Sequence, residues 1–173
     1  MYVRPAALEE VPPVMTLVRR AVPLMRASGN LQWDDTYPNA DVFIRDVQLD
    51  QLWVAELDGP EGLGGQIAGV AAITTDQEPA YAEIGWDINE LSIVVHRLAV
   101  DPAFQGMGVA IALMQKAEVV AIKRGIRILR VDTNTRNAAT QRLFPKLGYQ
   151  FAGEIALDFR PGLRFLCYEK RLL

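Results

Sequence analysis

Arg97-Leu98-Ala99-Val100-Asp101-Pro102-Ala103-Phe104-Gln105-Gly106-Met107-Gly108-Val109-Ala110 is the most informative stretch of this chain. An apolar strand runs into Asp-Pro. Two glycines then stand one residue apart, and a long apolar-striped segment follows. A turn needs one glycine at most. A pair of them ahead of a helix indicates that something approaches the backbone closely. Backbone N–H groups at a helix start are unpaired and lie at the positive end of the helix dipole. Glycine lets a phosphate reach them without striking a Cβ. Residues 105–110 therefore read as a pyrophosphate cradle, although a generic tight turn has the same glycines.

Two known phosphate loops fit poorly. A Walker A loop needs Lys-Ser/Thr after its last glycine, and none follows here. A dinucleotide fingerprint needs a third small residue and a direct strand-to-glycine junction. Here Ile111 takes the third place, and Pro102 to Gln105 intervene.

Working outward, Val109, Leu113, Met114, Ala117, Val120, Ala121 and Ile122 make a helical stripe that Gly125 ends. A strand over 126–132 and a helix over 134–147 follow, with Pro145 as a defect. Strands at 149–158 and 164–172 close the chain. Upstream, the spacing predicts a helix over 6–20, a short one over 23–28, a loop over 31–39 and a helix over 40–48. Strands are expected at 52–57, 66–74 and 91–100. Asp58 to Gly65 reads as a long hairpin loop, and the segment with Tyr81 and Trp86 as a polar loop. The order predicts one α/β (α+β) domain over 1–173 around a mixed central sheet.

Composition narrows the class. Of 173 residues, 50% are hydrophobic and 23% charged, with a formal net charge of −3. Such a chain can bury a core without a metal or disulfide staple. Its one cysteine, Cys167, reads as core and suits a reducing compartment. A mildly acidic chain without a basic run is a poor nucleic-acid binder. Without an apolar run of about 20 residues or a signal-peptide layout, no membrane association is expected. The expectation is a cytoplasmic protein.

A third pattern fits the loop. Gln105-x-x-Gly108-x-Ala110 resembles the Gln/Arg-x-x-Gly-x-Gly/Ala signature of the GNAT superfamily, the acyl-CoA-dependent N-acetyltransferases. His96 to Pro102, Asp132-Thr133-Asn134, and Asn137 with Leu143 to Tyr149 resemble its flanking strands and next helix. The match runs in order over 92–171. The resemblance implies a sheet splayed between two parallel strands, with helices on both faces. It implies acetyl-CoA as cosubstrate, no metal, an amine acceptor on a small molecule or peptide, and a possible homodimer. The pantetheine arm would pair with Leu98, Ala99 and Val100. The pyrophosphate would rest on Gln105, Gly106, Met107, Gly108, Val109 and Ala110. Asn137 and Phe144 would flank the arm.

One departure stands out. The superfamily often has tyrosine at the position of Phe144, where its hydroxyl protonates the leaving thiolate. Phenylalanine cannot do so. A coenzyme A-binding module without turnover is therefore the competing reading, and a dinucleotide-binding oxidoreductase is third. For the base, His96 is the only histidine. Strand alternation places His96, Leu98 and Val100 on one face. Imidazole exchanges protons near neutral pH, and a structural hydrogen-bonded role is the alternative. Glu83 is the second candidate base. Asp132 is expected to hold Arg97 or a helix N-terminus. Trp33, Tyr37, Tyr81 and Trp86 are expected to wall the acceptor site, with Asp34 and Asp35 drawing a cation; pinning a loop to the core is the other reading of these aromatics.

Overall fold

A computed structural model describes residues 1–58 and 65–173. Most of the loop expected over Asp58 to Gly65 lies outside the described residues.

Seven strands among the described residues form one sheet. They are β1 (Tyr2–Pro5), β2 (Leu52–Leu57), β3 (Gln66–Thr74), β4 (Ile93–Val100), β5 (Ile128–Asn134), β6 (Gln150–Ala156) and β7 (Arg164–Arg171). Their order is β1-β2-β3-β4-β5-β7-β6. Only β4 and β5 run parallel; the other neighbours are antiparallel. The helices are α1 (Val11–Ala27), α2 (Ala40–Gln48), α3 (Val109–Lys123) and α4 (Ala138–Lys146).

The two faces of the sheet carry separate cores. On one, Leu113, Met114, Ala117 and Ala121 of α3 pack with Ile73, Ile93, Val95, Leu129 and Val131, and Phe144 of α4 joins them. On the other, Val14, Leu17, Val18 and Val22 of α1 pack with Phe43 of α2 and with Val54, Val70 and Ala72. Each Val, Leu, Ile, Met or Phe among them, fully buried, contributes roughly 1.5–3 kcal/mol. Gly69 of β3 permits the close seating of α3. A Cβ there would lie 2.5 Å from Val109 Cγ1 and 3.1 Å from Leu113 Cδ1.

Several expectations are corrected. The two N-terminal helices are one, α1, which runs straight through Pro23. Proline there lacks an N–H for the i−4 carbonyl. The buried stripe of Val14, Leu17, Val18, Ala21 and Val22 holds the helix across the defect. Pro12 and Pro13 sit in its first turn, where no bond is lost. Tyr2–Pro5 forms an unforeseen edge strand, paired with Trp53 to Glu56; four residues are too few to show a period. Pro79–Ile84 forms a 3₁₀ turn where a loop was expected. Strand β5 covers 128–134 rather than 126–132, and α4 starts at Ala138 behind its cap Asn137.

Candidate active site

The site begins where the sheet comes apart. Strands β4 and β5 pair at Ile93–Leu129, Val94–Arg130 and Val95–Val131, and pairing then stops. From His96 onward no strand among the described residues lies beside the edge of β4 that faces β5. On its other edge β4 stays bonded to β3, but with a bulge. Val70 lies opposite Ala99 and Ala72 opposite His96, so three steps along β4 match two along β3. The extra residue is accommodated at Arg97, whose φ is 52°. A left-handed non-glycine residue costs about 1–2 kcal/mol. Arg97 is held there by Asp46 of α2, which accepts from Nε at 2.7 Å and Nη2 at 2.8 Å.

The bulge inverts the side-chain alternation, which corrects the expected face of His96. Leu98 and Val100 pack into the α3 core, together with Ile93 and Val95. His96 pairs with Ala72 and stands on the opposite face. Its Nε2 is 3.0 Å from the Asp76 carbonyl. A carbonyl only accepts, so Nε2 carries the hydrogen and Nδ1 holds the free lone pair of the neutral ring.

Two clefts meet at the splay. The inner one is lined by Trp33, Tyr37, Leu98, Thr133, Asn137, Thr140 and Phe144, among others. The outer one, about 420 Å³, is lined by Val42, Arg45 and Asp46 of α2, by Leu49 just past its end, and by Asp76, Glu78 and Leu157. Tyr37, His96, Arg97, Asp132 and Phe159 line both. Glu78 and Asp76 were not singled out from the sequence. Both follow β3 and lie beside His96 only through tertiary folding. Burial pushes the Glu78 carboxyl up from its ordinary range. Burial likewise pushes Asp132 up, while the nearby His96 and the Tyr81 hydroxyl pull it back.

The remaining candidates divide. Trp33 and Tyr37 line the inner cleft. Tyr81 lines neither cleft: it is fully buried, and its hydroxyl donates to Asp132 Oδ2 at 2.5 Å. Trp86 stacks edge-on against Tyr81 and beneath the Arg130 guanidinium. Glu83 is exposed and lines neither cleft. Asp132 thus serves Tyr81 and not Arg97, which Asp46 claims. Asp34 is taken up in the loop before α2. The Thr36 hydroxyl and N–H and the Tyr37 N–H all donate to its Oδ1. These bonds, the Thr36 hydroxyl first, hold its carboxyl down to about 2.

The glycine loop follows β4. Asp101 caps a 3₁₀ turn over Pro102–Phe104, its Oδ1 accepting from Ala103 N at 2.9 Å. Gly106 and Gly108 both have φ of 79°, which is why the loop needs two glycines. A Cβ on either would meet nothing within 4 Å. Gln105 and Met107 turn their N–H groups back to Pro102 and Phe104, at 3.5 and 3.4 Å. The N–H groups of Gly106, Gly108, Val109 and Ala110 have no acceptor among the described residues. Open space and free donors at the start of α3 fit a pyrophosphate. Asn137 is partly occupied in capping α4, accepting from Thr140 N at 3.3 Å.

Known proteins share this architecture. The profile of the acetyltransferase (GNAT) family matches residues 19–149. An uncharacterized N-acetyltransferase of Bacillus subtilis (strain 168), YesJ, is 26% identical over 159 residues, covering 91% of this chain and 86% of its own. A GNAT-family acetyltransferase from Streptococcus agalactiae 2603 has a similar structure, with a TM-score of 0.82 at 29% identity, over 99% of this chain and 95% of that one. The yncA protein of Salmonella typhimurium, solved with its cofactor acetyl-CoA, shares the fold, with a TM-score of 0.70 at 18% identity, over 100% of this chain and 94% of its own. With the splayed β4–β5 pair and the glycine loop at the head of α3, the profile match establishes that this chain belongs to the GNAT acetyltransferase family.

Proposed function

We propose that the protein transfers an acetyl group from acetyl-CoA to a primary amine carried by a small molecule or a peptide. The observation that carries this reading is the splay after Val95 and Val131, where two clefts of different character meet at His96. The free N–H groups of Gly106, Gly108, Val109 and Ala110 would hold the pyrophosphate. The bare edge of β4 over Leu98 to Val100 would hold the pantetheine arm, with Asn137 and Phe144 alongside. Acetyl-CoA, when bound, supplies an acyl carbon activated by a thiolate leaving group.

The chain's own residues do the rest. The outer cleft gathers Asp76, Glu78 and Asp132 around His96, which favours an ammonium over an anion. His96 Nδ1 takes a proton from that ammonium, because Nε2–H is already committed to Asp76. The freed amine is held at the junction of the clefts, so positioning accounts for much of the rate. Asp132 opposes the charge that develops on the imidazole.

The test is thiol release from acetyl-CoA against a panel of amines and peptides. Gly108→Trp should abolish release by filling the cradle. His96→Ala should lower kcat about 10²-fold or more. A His96→Ala variant with unchanged kcat across pH 6–9 removes His96 as the base.

A further inference from the structure

Phe144 leaves the departing sulfur without the proton donor that a tyrosine there would supply, and the junction of the two clefts supplies another. Five residues line both clefts: Tyr37, His96, Arg97, Asp132 and Phe159. Each of them faces the reacting centre from both clefts. Phe159 has no acidic hydrogen. Arg97 is always protonated and is gripped by Asp46. The hydrogen on His96 Nε2 is spent on the Asp76 carbonyl, and Nδ1 faces the acceptor nitrogen as its base in the reading above. Asp132 accepts from the Tyr81 hydroxyl. Tyr37 is left. Its phenolic oxygen accepts from Arg97 Nη1 at 3.3 Å, and its own hydrogen has no acceptor among the described residues.

We propose that Tyr37 is the general acid, donating its hydroxyl proton to the leaving sulfur in place of the tyrosine that Phe144 replaces. This rests on the acetyl-transfer reading above. As the C–S bond breaks, its electron pair stays on sulfur. The Tyr37 O–H bond breaks and an S–H bond forms. The phenolate is held beside the Arg97 guanidinium until the second proton of the acylated nitrogen, lost as the amide forms, restores the hydroxyl. The first proton, taken by His96, is the one that leaves to solvent.

The surroundings keep Tyr37 in place. Its backbone N–H donates to Asp34 at 3.1 Å. Its ring lies 5.7 Å from Phe159 and 5.2 Å from the Arg160 guanidinium. Arg97, Arg160 and Asp34, with Asp46 behind Arg97, are the charged groups that touch it, and Arg45, Asp76, Glu78 and Asp132 share the outer cleft with it. Tyr37 sits in the loop before α2, far in sequence from α4, so this donor does not follow from the family's helix motif.

Calorimetry of coenzyme A and desulfo-coenzyme A on wild-type protein and Tyr37→Phe separates this role from a structural one. An ordinary thiol ionises near 8.5, so the titrations are run at pH 7 and pH 9. A hydrogen bond from Tyr37 to thiolate makes wild type prefer coenzyme A over the desulfo ligand by about tenfold at pH 9, with a smaller preference at pH 7. Tyr37→Phe loses the preference and binds desulfo-coenzyme A as wild type does. Equal binding of both ligands by wild type at pH 9 overturns the role of Tyr37. A Tyr37→Phe variant that keeps the preference, or that weakens both ligands alike, also overturns it. Wild-type protein that binds neither ligand sinks the acetyl-CoA reading, and Tyr37 with it.

Discussion

Arg97 and Asp46 form a two-point ion pair between the bulge of β4 and the buried face of α2. The guanidinium side chain is 15% exposed and the carboxylate 5%. The pair keeps Arg97 in its left-handed conformation and aims its remaining nitrogen at Tyr37. Asp46→Ala strands the guanidinium in a half-dry pocket. Breaking a buried pair costs about 3 kcal/mol at its lower bound, and for a chain of this size that lowers Tm by about 10 °C. Thermal unfolding checks it. A shift under 2 °C means that water solvates Arg97 without Asp46.

The Tyr81–Asp132 bond predicts a pH-dependent loss. Burial already raises the Asp132 carboxyl, and Tyr81 opposes that rise by donating to the charged form. Tyr81→Phe raises it further. A carboxyl raised in the folded state loses folding stability as pH climbs from its ordinary value through the folded one, because the native state then binds more protons than the unfolded state. The variant should be about 1–2 kcal/mol less stable than wild type at pH 7. The gap should narrow as pH falls below the raised value. Urea titrations at pH 3.5 and 7 read the gap directly; a constant gap contradicts the assignment.

Glu78 carries the same sign. Burial raises its carboxyl above the ordinary 4.5. Its ionisation therefore destabilises the fold at neutral pH and has no such effect well below pH 4.5. Glu78→Gln should raise Tm at pH 7 and leave it unchanged at pH 3.5. The same variant should raise KM for cationic acceptors, because it removes a carboxylate from the outer cleft. A lower Tm at pH 7 would show that Glu78 is held by a favourable charge and not strained by burial.

Two glycine substitutions separate close approach from backbone conformation. Gly69→Ala drives a Cβ to 2.5 Å from Val109 Cγ1. Overpacking there costs about 1–3 kcal/mol and shifts the start of α3. Coenzyme A affinity should fall with it, since the free N–H groups move. Gly106→Ala meets no described protein atom and costs the fold only the strain of a φ of 79°, about 1 kcal/mol. Its Cβ enters the space proposed for the pyrophosphate, so coenzyme A affinity should fall there too. Unchanged coenzyme A affinity in Gly69→Ala would mean that the seating of α3 does not set the cradle.

Much was legible in the chain itself. Gly106 and Gly108 announce a close approach to the backbone, and the stripe from Val109 to Ala121 announces a buried helix. These are local signals, each set within one turn or one strand, and α3, β2, β3 and α2 emerged with nearly the ranges expected. The tertiary structure decided the rest. The bulge at Arg97 exists because β4 must register with β3 on one edge while parting from β5 on the other, and no feature of His96 to Val100 alone reveals which way His96 then faces. Pro23 reads as the start of a second short helix until the packing against β3 and α2 outweighs its lost bond. Glu78, Tyr37 and His96 are far apart in the chain and share no motif; only the folding of three separate segments onto one splay brings them together. Sequence sets what each segment prefers. Which preferences survive, and which side chains meet, is set by the larger free energy of burying both faces of the sheet at once.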